Sequence, residues 1–193
     1  MTIQHSSQII KGQETVVYLG ECPANQRPTA AVSDSGVITL SNQPTMKYLT
    51  GVTNASVSIN DTEQEYYLLG GNGFADAVTT TTRAQASITT YFQRDIDGSD
   101  DSATLQSNGY DEALSTALKC RNKKDLELWV EIYKQLGTNL NYDVTCFAAR
   151  LTNYSESYPA DNLVEVTFDL MSRGPVSAGT LTLSASKMPT APN

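Results

Sequence analysis

Between Asn141 and Thr180 the chain reads NYDVTCFAARLTNYSESYPADNLVEVTFDLMSRGPVSAGT, two strand-like runs around a polar loop. In the second run Val164, Val166, Phe168 and Leu170 share one face, and Glu165, Thr167 and Asp169 share the other. Such strict alternation marks a strand with one buried and one wet face. The run is expected to stop at Ser172-Arg173-Gly174-Pro175. Its wet face is acidic and small, with nothing shaped like a catalytic pocket. The pattern points to a protein whose surface is its function.

A chain of 193 residues fits one domain spanning 1–193. At this length roughly 70% of the unfolded chain's surface can be buried, so disulfide staples are not required. The 23 Thr, 18 Ser and ten Tyr favour strands. A net charge of −8 argues against a general nucleic-acid binder, because phosphate contacts need clustered Lys and Arg. Cys22, Cys120 and Cys146 form no CxxC spacing, and are expected to be reduced, buried thiols. The start MTIQHSSQII shows no basic residues leading into an apolar run, so no secretory signal is expected. No apolar stretch approaches the roughly 20 residues that span a bilayer, and no membrane insertion is expected.

Along the chain, a first strand is expected over Glu14 to Leu19 and a short one over Val37 to Leu40, within a loop from Gly20 to Pro44. Val52 to Ile59 and Arg83 to Phe92 read as paired strands. Their inward residues are Ala55, Val57 and Ile59, and Ala84, Ala86, Ile88 and Phe92. Their outward residues are Ser56 and Ser58, and Gln85, Ser87, Thr89 and Tyr91. The excursion 60–82 between them is far longer than a tight turn requires, and long loops are often functional. A helix is expected over Tyr110 to Lys119, with Tyr110, Ala113, Leu114, Ala117 and Leu118 on one stripe. Asp125 to Lys134 alternates Leu126, Leu128, Val130 and Ile132 against Glu127, Trp129, Glu131 and Tyr133. Asp143 to Leu151 has ambiguous parity, with Phe147, Ala149 and Leu151 competing with Val144, Cys146 and Ala148. A last strand is expected over Ala178 to Ser184, before a flexible tail at 185–193. The fold class is mainly β: two packed antiparallel sheets, a sandwich or barrel, with one flanking helix and a long hairpin-like loop.

Catalytic chemistry is scarce. His5 is the only histidine, which excludes a His-dependent triad or a multi-His metal site. Gly71-Asn72-Gly73-Phe74-Ala75-Asp76 starts like a dinucleotide fingerprint but leads into no helix, and reads as a loop tip. Asp95 to Asp101 resembles a calcium loop with a misplaced Gly and Gln106 where a bidentate Glu belongs; it reads as a solvated acidic loop or a weak cation site. Glu127 and Glu131 stand about 13 Å apart along one strand, too far for a glycosidase dyad. Trp129 and Tyr133 could stack on sugars, or lie under the helix or at a subunit contact; the latter is favoured. No cofactor, metal site or enzyme activity is expected.

From about Thr50 to Thr180 the order of parts resembles bacteriophage major tail tube proteins. The likeness lies in a strand, the acidic Tyr-containing loop Asp61-Thr62-Glu63-Gln64-Glu65-Tyr66-Tyr67-Leu68, and a returning strand of small polar residues. The short helix, the Leu126 to Tyr133 strand and the strand ending at Ser172-Arg173-Gly174-Pro175 complete it. The resemblance implies two packed sheets with a flanking helix, and hexameric rings whose inner sheets join into a β-lined channel. It further implies rings stacked into a tube, an electronegative lumen, and a long loop that reaches the next ring. The tube protein of type VI secretion is related.

On this reading the virion tail is the location, reached after assembly in the host cytoplasm. The chain's partners are itself, the tape measure, tail terminator and baseplate proteins, and a sheath if the tail contracts. DNA passes the lumen without specific binding. Ser56, Ser58, Gln85, Ser87, Thr89, Glu165, Thr167 and Asp169 are expected to line the lumen, because they face away from the apolar side of their strands. The arm 60–82 is expected to make inter-ring contacts through Asp61, Glu63, Glu65, Tyr66, Tyr67, Leu68 and Leu69. Lys119, Arg121, Lys123 and Lys124 are its expected partners. A tail terminator or baseplate component, and a carbohydrate-binding sandwich, are the rival readings.

Overall fold

The computed structural model describes residues 15–49, 51–67, 75–91, 112–136, 141–160 and 163–182. Its strands are β1 (Thr15–Pro23), β2 (Thr29–Val32), β3 (Ile38–Ser41), β4 (Met46–Tyr48), β5 (Val52–Tyr67) and β6 (Ala75–Tyr91). The helix α1 (Glu112–Asn122) follows, then β7 (Leu126–Gln135), β8 (Asn141–Ser157) and β9 (Glu165–Thr182). The expected pair of packed sheets is a large one and a small one. Seven strands form an antiparallel sheet in the order β4-β1-β7-β8-β9-β6-β5, and β2 pairs with β3 in a separate hairpin.

One face of the large sheet is apolar along its whole width. Val17 and Leu19 of β1, Leu128, Val130 and Ile132 of β7, and Phe147, Ala149 and Leu151 of β8 lie on it. Val166, Phe168 and Leu170 of β9 and Ala84, Ala86 and Ile88 of β6 extend it. The helix caps this face with Ala113, Leu114, Ala117 and Cys120, a stripe at helical spacing. Lys119 and Arg121 occupy its last turn, where cations suit the helix dipole. Leu118, expected on the stripe, is half-buried, and Tyr110 lies outside the described residues.

The opposite face is divided. Over β1, β7 and the first half of β8 it carries Tyr18, Cys22, Trp129, Tyr133, Tyr142, Val144, Cys146 and Ala148. The β2–β3 hairpin covers this half with Ile38, Ala30 and Leu40. Over the second half of β8, the start of β9, β6 and β5, the hairpin is absent and polar residues stand open. The ambiguous parity of β8 has its explanation here: both of its faces are buried, so neither shows a polar alternation.

The strands run further than the sequence suggests. Residues Arg173, Gly174 and Pro175 do not end β9. They form a bulge opposite Ala148, between the pairs Phe147↔Val176 and Ala149↔Ser172. Proline has no N–H for a ladder bond, and a bulge tolerates that. The expected separate strand from Ala178 is the second half of β9. A second bulge on β8 places Asn153 at φ 40 between Thr152 and Tyr154, and Asn tolerates left-handed backbone better than most residues.

Candidate functional site

The open polar half of the sheet brings together all eight residues expected to line a lumen. The register fixes their rows. Ser56 pairs with Ser87 and Ser87 with Asp169, which in turn pairs with Thr152. Asn54 pairs with Thr89, Thr89 with Thr167, and Thr167 with Ser155. Ser58 pairs with Gln85 and Gln85 with Met171. Tyr91 pairs with Glu165 at one end. Successive rows lie about 6.6 Å apart, twice the strand rise. The side chains satisfy one another or the backbone: Ser58 Oγ donates to the Gln85 carbonyl at 3.4 Å, and Asn153 Nδ2 donates to Asp169 Oδ2 at 2.8 Å. Thr89 Oγ1 and Thr167 Oγ1 lie 3.4 Å apart. The surface is hydroxyls, amides and two carboxylates, all of which water also solvates well. It is not acidic throughout, because Arg83, at the middle of β6, alternates in step with Gln85, Ser87 and Thr89.

The covered half shows where the polar-patterned face of β7 goes. Glu127, Trp129, Glu131 and Tyr133 are all buried, under the β2–β3 side of the sheet rather than under the helix. Glu131 is 1% exposed, and three neutral donors meet its carboxylate. Gln43 Nε2 and Trp129 Nε1 bond Oε1 at 2.6 and 2.7 Å, and Tyr133 Oη bonds Oε2 at 2.7 Å. Burial and the adjacent Glu131 push the Tyr133 phenol far above its ordinary pKa. Glu127 is held by both donors of the Arg27 fork. With Trp129 and Tyr133 inside the protein, neither is available to stack on a sugar.

The excursion 60–82 is the second difference. It is not a loop: β5 and β6 remain paired from Asn60↔Arg83 out to Tyr67↔Ala75, with one register shift after Thr62. The last pair of β6 with β9 toward this side is Gln85↔Met171. Past that pair the hairpin parts from β9, which continues to Thr182 beside β8, and runs on as a two-stranded arm, about 25 Å long at strand rise. Thr-rich runs such as Thr79 to Thr82 carry no apolar alternation, so the sequence hid the strand. Asp61, near the arm's base, accepts from Thr82 Oγ1 at 2.6 Å. Leu68 and Leu69, and the side chains of Glu63, Glu65, Tyr66 and Tyr67, lie outside the described part. So do the acidic loop 95–101, His5 and the tail 185–193.

The expected basic partners lie in the last turn of α1 and just after it. Arg121 lies over the Tyr154 ring at 6.0 Å, within cation–π range. Arg150 Nη2 donates to the Lys123 carbonyl at 3.4 Å. Both contacts place the end of α1 beside Arg150 to Tyr154; Arg150 lies in the Met171↔Gln85 row where the arm departs, and Tyr154 in the Phe168↔Ile88 row. Lys123 and Lys124 are exposed. Lys119 differs from the other three, since its ammonium pairs with Glu21 of the same chain at 2.5 Å, and that hydrogen bond raises its pKa.

Strand β5 forms an edge of the large sheet, 16 residues long. Val57 and Ile59, expected to face inward, are 38% and 48% exposed. They share the parity of the apolar face, but the helix and core do not reach this far along the sheet. An unpaired, partly apolar edge of this length is a template for another strand.

The three cysteines are free and buried. Burial, the largest effect at each, pushes Cys22 up to about 11 and Cys120 and Cys146 up to about 12. Such thiols are inert in neutral solution. Among the described residues no group of His, Cys, Asp and Glu is arranged to hold a metal ion, and no helix is long and apolar enough to cross a membrane.

No protein-family model and no curated protein sequence matches this chain. Solved structures do. The SPP1 tail tube is similar with a TM-score of 0.53 at 13% identity, over 93% of this chain and 84% of that one. A chain in the tail of the empty gene transfer agent particle, solved with C6 symmetry, gives 0.50 at 13% identity, over 86% and 96%. A chain of the native gene transfer agent virion gives 0.50 at 9% identity, over 87% and 97%. The chain thus carries the fold of tail tube proteins.

Proposed function

We propose that this chain is a structural virion protein, a single tail-tube-like domain that closes into hexameric rings and stacks into the conduit for DNA. The observation that carries the reading is the division of one sheet face. Half is sealed by β2–β3 around an aromatic core, and half presents ordered rows of hydroxyl, amide and carboxylate groups with no cover among the described residues. A wall that passes a polyanion must not hold it, and such rows solvate phosphate without clustering cations against it. The exposed β5 edge gives the ring its means of closure, since edge pairing around a ring removes the free edge. The arm is the element that would reach Arg121, Lys123 and Lys124 on the next ring in a head-to-tail stack. The charged contacts steer association more than they stabilise it. Terminator, baseplate and tape measure proteins are the partners such a tube would meet.

Negative-stain electron microscopy of concentrated protein tests the reading. Wild type is expected to form tubes. A variant in which a two-residue turn joins Asn60 directly to Arg83, which face each other in the hairpin, is expected to fold and to give monomers or isolated rings. Long tubes from the shortened protein would remove the arm from stacking. A wild-type protein that stays monomeric at all concentrations would reject the tube itself.

A further inference from the structure

The large sheet has a free edge that its strand order hides. β5 pairs with β6 on one side and, among the described residues, with no strand on the other. β7 is paired along β8 only as far as Ala149, whereas β9 stays paired with β8 to Ser157. The turn after α1 lies beside Arg150, whose Nη2 donates to the Lys123 carbonyl. Past that turn, from Tyr154 to Ser157, β8 is a second edge with no strand beside it among the described residues. The uncovered half of the sheet is therefore a patch of four strands, in the order β8-β9-β6-β5, open on both sides.

Hydrogen bonds fix which amides point off each edge. The Tyr91 N–H donates to the Gly51 carbonyl, toward β5, and the Ala84 N–H donates to Ser172 Oγ, toward β9. Odd-numbered residues of β6 thus bond β5, through Asn54, Ser56 and Ser58. The amides of Ala55, Val57 and Ile59 point outward. On β8 the Asn141 carbonyl accepts from the Leu136 N–H, toward β7. Alternation from Asn141 to Leu151, with one extra residue at the Asn153 bulge, turns the amides of Tyr154 and Glu156 off the edge. Both edges also carry apolar surface on the helix side. Val57 and Ile59 are exposed, and Tyr154 is half-buried, with Arg121 over its ring and its hydroxyl donating to Glu156.

Strand direction selects the partner. The seven strands alternate, so β8 runs opposite to β5, and β4 runs with it. Where copies share one axial direction around a ring, β5 of one copy meets β8 of the next antiparallel. The polar rows then continue across the join, with Ser56 beside Ser155 on the channel face. Pairing with β4, the other end strand, would need a parallel ladder against a strand of three residues.

We propose that β5 of one copy pairs with the Tyr154–Ser157 edge of β8 in the next copy around the ring, with Val57 packed on Tyr154. The inference rests on the ring reading and names the strand that meets β5. Four strands per copy, an even number, let an antiparallel ladder close with every copy facing the same way.

Cysteine cross-linking in purified full-length protein tests it. The native thiols are buried and stay out of the reaction. Ser155→Cys is combined in turn with Asn54→Cys, Ser56→Cys and Ser58→Cys, and assembled protein is oxidised and run on non-reducing gels. A series of covalent oligomers is expected, strongest with Ser56→Cys, since paired strands bring opposite Cα atoms within disulfide range. The single variants are expected to give none. Val57→Pro is expected to keep the circular dichroism of wild type, because that N–H bonds nothing within its own copy, and to lose rings. Covalent dimers from Ser56→Cys alone would overturn the proposal, because β5 would then pair with β5 about a two-fold axis. Tubes in which no combination cross-links, or rings from folded Val57→Pro at the wild-type concentration, would also overturn it. These outcomes leave the tube reading intact, whereas wild-type protein that forms no tubes removes both.

Discussion

Arg27 grips Glu127 across a hundred residues of sequence, with Nε 2.6 Å from Oε2 and Nη2 2.9 Å from Oε1. This two-pronged pair ties the segment leading into β2 to the buried face of β7. The Glu127 side chain is 7% exposed and that of Arg27 36%. Arg27→Met is expected to lower stability by about 1–3 kcal/mol, less than the roughly 3–5 of a fully buried pair, because water reaches the guanidinium. Urea denaturation checks this, and an unchanged midpoint would show that the clamp is incidental.

Glu131 is expected to matter more to folding than its distance from the proposed channel suggests. In Glu131→Gln one acceptor oxygen becomes a donor, facing groups that already donate. The expected loss is about 1–3 kcal/mol. Glu131→Ala should lose more, since three donors are then left without an acceptor. A melting temperature unchanged in both variants would contradict the network.

The helix is expected to behave as scaffold, with unequal contributions from its two leucines. Leu114 is 1% exposed, and Leu114→Ala should cost about 2–5 kcal/mol. Leu118 is half-buried, so Leu118→Ala should cost about 1 kcal/mol. Equal losses in thermal melts would mean that the stripe is rotated from where it packs.

The buried thiols make an alkaline limit. Each has a folded pKa raised from 9.0 to about 11 or 12. The folded state therefore keeps its thiol protons above pH 9, where the unfolded chain loses them. Stability from this source is complete below pH 9 and falls as pH rises toward 11–12. Urea midpoints measured from pH 8 to 10.5 should decline, and thiol labelling of the native protein at pH 8 should be negligible. Rapid native labelling would refute the burial.

Lysines placed on the open edge should separate folding from ring closure. Val57→Lys with Ile59→Lys blunts β5 as charged edge residues do. Both positions are exposed, so stability should stay within about 0.5 kcal/mol of wild type. Analytical ultracentrifugation is expected to find monomer at concentrations where wild type associates. Unchanged association would place the ring contact elsewhere.

Alternation alone determined which residues of β6, β7 and β9 share a face. Ala84, Ala86 and Ile88, Leu128, Val130 and Ile132, and Val166, Phe168 and Leu170 are on the sides the sequence assigns them. It also brought the eight polar residues onto one surface, because a period of two fixes faces along a strand without reference to the rest of the chain. What alternation does not report is what lies over a face. Ser87 and Glu131 look alike in that respect, each polar among apolar neighbours. One stands half-exposed on an uncovered surface; the other is sealed beneath a strap whose Gln43 lies 88 residues away in sequence. The same limit hid the exposure of Val57 and Ile59, which carry the core's parity where no core reaches. Only the tertiary structure decided these, since cover depends on distant segments meeting in space. Strand continuation through Gly174 and Pro175, and along the Thr-rich arm, was likewise set by pairing with a neighbouring strand rather than by local pattern.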